Sequence, residues 1–127
     1  MLSPGNKMAI VFVIARDWTP RTAVRAELRE SGVDALGMES AEDVGRAVAS
    51  GQMPQAVVLE AAGEIVADSA VQKLISRVPT VLIASRTEKI PLPPASVAGA
   101  AEVFYRPVRI ADIVSRVRQI LDRGAAA

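Results

Sequence analysis

The 127-residue sequence contains no cysteine and no histidine. Without thiols there is no disulfide framework, no thiolate nucleophile, no CxxC redox pair and no Cys-ligated zinc or iron–sulfur site. Without imidazoles there is no Ser-His-Asp triad, no histidine metal site and no histidine phospho-acceptor. An excess of charge is missing as well. Fifteen Lys+Arg against fourteen Asp+Glu leave +1, too little to gather nucleic acid or anionic lipid. No long hydrophobic run is present either. The longest spans Met8 to Ala15 and is closed by Arg16 and Asp17, whereas a membrane-spanning helix needs about 20 apolar residues. Lys7 before that run, with Val13 and Ala15 spaced like a cleavage site, faintly imitates a signal peptide. A buried strand is the better reading, because helix and strand patterns follow it in regular order. A cytoplasmic protein with no membrane and no nucleic-acid partner is expected. Any chemistry must run on carboxylates, hydroxyls, three Lys and twelve Arg.

What is present is a core and a rhythm. Half the residues are hydrophobic, enough for one domain of this length. Ala9 to Ala15 is nearly all apolar and β-rich, as a strand covered on both faces should be. Thr19-Pro20 reads as an N-cap and first helical residue, and Val24 and Leu28 then fall one turn apart before Gly32. Val33 to Met38 predicts a second strand. Ser40-Ala-Glu-Asp43 has the form of a capping box and opens a helix to Gly51. Ala56 to Leu59 is a third strand ending on Glu60. A single helix is predicted from Ile65 to Arg77, a fourth strand over Thr80 to Ala84 and a fifth over Ala101 to Tyr105. Ile110, Ile113, Val114, Val117, Ile120 and Leu121 mark a final helix to about Asp122. Pro91, Pro93 and Pro94 leave room for a turn of helix at most between the last two strands. There is no internal repeat and no linker.

Five strand–helix alternations predict an α/β chain: a flavodoxin-like, doubly wound, five-stranded parallel sheet, (βα)5, with a shortened or missing fourth helix. Residues 1–127 form one domain with its core at about 7–123. In such sheets the functional crevice lies beyond the carboxyl ends of the strands. The residues there are Arg16 and Asp17, Glu60, Ala84 and Ser85, and Arg106 with Pro107.

Those strand ends, with their spacing, resemble the receiver domain of two-component response regulators. The most specific stretch runs from Tyr105-Arg-Pro to Leu121 and resembles the receiver's last strand, its Lys-Pro step and its last helix. Pro79 to Ala84 resembles the Pro-led fourth strand, and Pro54 to Glu60 the third. The resemblance implies an acidic pair after the first strand to hold Mg2+, an Asp acceptor ending the third, a Thr or Ser ending the fourth, and a Lys before the Pro. Matched position by position, the sequence departs at nearly all of them. Ala15 and Arg16 stand in place of the acidic pair, with Asp17 one residue late. Glu60 takes the acceptor position, Ala84 the hydroxyl position with Ser85 beyond it, and Arg106 replaces the Lys.

The expectation is a degenerate pseudo-receiver: a non-catalytic signalling and protein-interaction module, not an enzyme, with no metal and no cofactor. An arginine beside a metal position adds repulsion of about 4 kcal/mol at 4 Å for an effective dielectric of 20. Phosphoryl transfer depends on positioning and charge compensation, so a longer carboxylate without metal is a poor nucleophile. Arg106 prefers a planar carboxylate contact, and the extra methylene of Glu60 extends toward it. The alternative is an atypical phospho-acceptor or small-ligand domain using Asp17, Glu60 or Ser85. The expected partner is a signalling protein, or a second copy of the chain, docking on a face formed by Ile90, Leu92, Val97, Tyr105, Arg109 and Arg116. Trp18, the only Trp, either covers the pocket or packs on the first helix. Arg21, Arg25 and Arg29, interleaved with Glu27 and Glu30, read as a solvated face. No glycines combine into a phosphate-cradling motif.

Overall fold

The apolar runs form the strands of a parallel sheet in a computed structural model that describes residues 8–16, 20–61, 63–85 and 99–126. The strands are β1 (Ile10–Ile14), β2 (Asp34–Met38), β3 (Ala56–Glu60), β4 (Thr80–Ala84) and β5 (Glu102–Tyr105). The helices are α1 (Arg21–Glu30), α2 (Ala41–Ala49), α3 (Gly63–Ala67), α4 (Ser69–Arg77) and α5 (Ile110–Ala126). The sheet order is β2-β1-β3-β4-β5 with every pair parallel. This is the flavodoxin-like doubly wound arrangement, and its order reverses between β1 and β3.

Alternation along the strands builds two cores. Val11, Val13 and Val58 point to one face, where α1 adds Val24 and Leu28 and α5 adds Ile113 and Val117. Phe12, Ile14, Val57, Leu59 and Leu82 point to the other, against Val44 of α2, Val66 of α3 and Leu74 of α4. Both faces of β1, β3 and β4 are thus covered, which is why these strands are continuously apolar. The turns after α1 and α2 need Gly32 and Gly51, whose φ values of 85° and 92° lie in the left-handed region. At the start of α2, Ser40 Oγ accepts the Asp43 N–H at 3.2 Å, and Asp43 Oδ2 accepts the Glu39 N–H at 3.1 Å. That backbone bond, aided by Arg46 and Ser40 and opposed by desolvation, holds the Asp43 carboxyl below the usual carboxylate range.

Three boundaries differ from expectation. The helix expected over Ile65 to Arg77 is two helices, broken at Asp68, whose ψ of 136° is extended. Asp68 Oδ1 accepts the N–H groups of Ala70 at 2.9 Å and Val71 at 3.3 Å, so it caps α4. A short acid before Ser69 offers the backbone an alternative to continuing the helix. Pro20 stands just before α1 rather than within its first turn, and its carbonyl accepts the Val24 N–H. α5 continues past Asp122 to Ala126, running through Gly124. The shortened or missing helix expected between β4 and β5, and residues Asp17, Trp18, Thr19, Ile90, Leu92 and Val97, lie outside the described residues. No described helix is long and apolar enough to cross a membrane.

Removing the cap by Asp68→Ala should destabilise the fold by about 1 kcal/mol. A urea titration would read this as a lower midpoint at unchanged slope. An unchanged midpoint would show that the cap contributes nothing to global stability.

Candidate functional site

The register of three neighbouring strands brings the site together. Ile14 pairs with Leu59, so Ala15 and Arg16 continue beside Glu60. Glu60 pairs with Ile83, and Ala84 with Tyr105, which places Arg106 just past the same edge. The Arg106 N–H donates to the Ala84 carbonyl at 2.9 Å and holds that step in place.

Glu60 is the one buried carboxylate among the described residues, 3% exposed at the end of β3. A carboxylate taken out of water must find cations or donors. Both of its oxygens do so. Arg106 Nη2 donates to Oε2 at 2.9 Å, and the main-chain N–H of Arg16 donates to Oε1 at 3.2 Å. The contact that Arg16 is shown to make with Glu60 is therefore one of backbone, while its residue as a whole is exposed. Ala84 is buried and supplies only a methyl group, with the half-buried Ser85 after it. Among the described residues no three acidic side chains converge as a metal site.

Arg21 belongs to this edge too, contrary to its reading as part of a solvated face. Its Nη1 donates to the Ala15 carbonyl at 2.5 Å, and its Nη2 meets Glu39 Oε1 at 2.9 Å. It thereby ties α1 to the ends of β1 and β2. Arg25 also folds inward, over Gly37 of β2, where an added Cβ would stand 2.8 Å from Arg25 Cδ. Desolvation, then repulsion from Arg29 and Arg21, pulls the Arg25 guanidinium below its ordinary value. Of the three, only Arg29 is exposed. The available signal was Gly37: a glycine inside a strand marks a place where another group approaches closely.

The partner-face residues separate. Tyr105 is 45% exposed and Arg109 is exposed. Arg116 instead packs inward: its Nε meets Glu102 Oε1 at 3.3 Å and its Nη2 donates to the Ala101 carbonyl at 3.2 Å, joining α5 to β5.

No protein-family model and no curated protein matches the sequence. Solved structures do. A response regulator receiver protein from Pseudomonas putida superposes with a TM-score of 0.71 at 15% identity, covering 90% of this chain and 98% of that one. A response regulator receiver domain protein from Clostridium thermocellum gives 0.72 at 15%, covering 94% and 98%. The fold is that of a receiver domain. A receiver protein from Burkholderia phymatum, at 21% identity and a TM-score of 0.67, covers 90% of this chain and 95% of that one. At these identities the likeness is one of fold. The receiver fold places Glu60 at the carboxyl edge beside the switch point between β1 and β3, where α/β sheets of this kind carry their sites.

Proposed function

We propose that this receiver-fold chain is a pseudo-receiver, a non-catalytic signalling module of the cytoplasm that acts by binding protein partners. It does not take up phosphate by the Mg2+-dependent aspartate mechanism. The occupancy of Glu60 carries this reading: one oxygen is held by Arg106 and the other by the Arg16 N–H. An attacking carboxylate oxygen must reach phosphorus in line, with cations free to balance the transferred charge. Here the nearest guanidinium is already committed to the carboxylate. Tyr105 and Arg109 are both exposed, an aromatic and a cation of the kinds enriched at protein interfaces.

The test is incubation with acetyl phosphate and Mg2+, read by intact mass. No phosphoryl increment is expected, in the parent or in Glu60→Gln. An increment lost in Glu60→Gln would overturn the proposal and make Glu60 the acceptor. One that survives the substitution would equally overturn it, in favour of Asp17 or Ser85.

A further inference from the structure

A second cleft lies at the opposite edge of the sheet, under the amino ends of β1, β3, β4 and β5 and the last turns of α5. Its volume of about 740 Å³ is within the range of small-molecule sites. Pro54, Val78, Pro79, Ile120 and Leu121 form apolar walls. Arg77, Arg116 and Arg123 stand around them, and none of the described lining residues is a carboxylate. Arg116 is committed to Glu102 and the Ala101 carbonyl. Arg77 and Arg123 are exposed and meet no carboxylate within salt-bridge reach among the described residues. A chain of net charge +1 thus gathers three guanidiniums at one apolar cleft without an acid in its described lining.

We propose that this cleft binds a small organic anion: an apolar body against the proline and leucine walls, and one carboxylate or sulfonate group paired with Arg77 and Arg123. Guanidiniums favour planar oxyanions through charge-assisted hydrogen bonds. The apolar walls supply the burial that an inorganic anion could not use. Arg16, Glu60 and Arg106 do not line this cleft, so the inference stands independently of the pseudo-receiver reading.

Two fluorescent ligands of nearly the same shape provide the test. The full chain is titrated with 8-anilinonaphthalene-1-sulfonate and, separately, with its neutral analogue N-phenyl-1-naphthylamine. The sulfonate should bind saturably and about tenfold more tightly than the neutral compound, as expected for one charge-assisted contact. Its affinity should fall as salt rises. Arg77→Gln with Arg123→Gln should bring the two ligands to similar affinity. In spectra of the labelled parent, amide shift changes should centre on Val78, Ala101, Leu121 and Gly124. Equal affinity for both ligands in the parent, a double variant that keeps its preference for the anion, or shifts centred elsewhere would each overturn the proposal. If the double variant fails to fold, the anion-to-neutral ratio, the salt dependence and the shift map of the parent still decide. The acetyl phosphate result has no bearing on any of them.

Discussion

Arg106→Ala should destabilise the protein by about 2–3 kcal/mol, while Glu60→Gln should cost about 1 kcal/mol or less. The asymmetry comes from burial. The Glu60 side chain is 4% exposed and the Arg106 side chain 37%. Removing the cation leaves a carboxylate in the interior with only the Arg16 N–H among its donors from the described residues, and stranding a buried charge is the costly event. Removing the acid instead leaves a guanidinium that water already reaches, with the Gln oxygen still able to accept the Arg16 N–H. Solvent access to Arg106 is the reason for placing the loss below the 3–5 kcal/mol typical of a fully buried pair. In a chain of this length, 2–3 kcal/mol lowers the melting temperature by about 8–12 °C. The two changes should not add: once Gln stands at 60, Arg106→Ala should be nearly silent. Urea midpoints for the four proteins of this cycle check it. Full additivity would mean that the two side chains contribute independently.

Phe12→Ala should be more damaging still, at about 3–5 kcal/mol. Phe12 is fully buried in β1, between β2 and β3, and packs in the core with Val44, Val57 and Leu59. Its loss removes the transfer free energy of the ring and leaves a void that a strand bonded on both edges cannot close. As a surface comparison, Val48→Ala should change stability by no more than about 0.5 kcal/mol, since Val48 is 37% exposed on α2. The urea midpoint should fall steeply for the first variant and barely for the second. Similar losses from both would place the stabilising core elsewhere than in the two layers flanking β1.

The strand–helix order was legible because burial imposes a period that can be read from local sequence. Runs such as Met8 to Ala15 and Thr80 to Ala84 have no polar face, so they belong in strands covered on both sides. Gly32 and Gly51 marked the ends of α1 and α2, since the left-handed turn that follows a helix is cheapest for glycine. The break at Asp68 was not separated from the helix around it. Val66, Val71 and Leu74 all face the same core, and the continuous apolar face masks the interruption. The roles of the arginines were the least legible. Arg21, Arg25 and Arg29 share one helix and one spacing, yet one bonds the end of β1, one lies over Gly37 and one is exposed.

By itself the sequence determined the α/β class, the five strands, the apolar layers and the residue types at the strand ends, because each follows from neighbours within a few positions. Tertiary structure alone decided the geometry in which those ends meet, with Arg106 giving its guanidinium to Glu60 and Arg16 its main-chain N–H. Glu60 and Arg106 are 46 residues apart and Glu60 and Arg16 are 44 apart. Only the order β1-β3-β4-β5 and its register bring Arg16 and Arg106 onto one carboxylate. A long, flexible arginine side chain has many reachable partners in solution. Which one it takes depends on where a buried charge most needs a donor, and that is a property of the folded sheet.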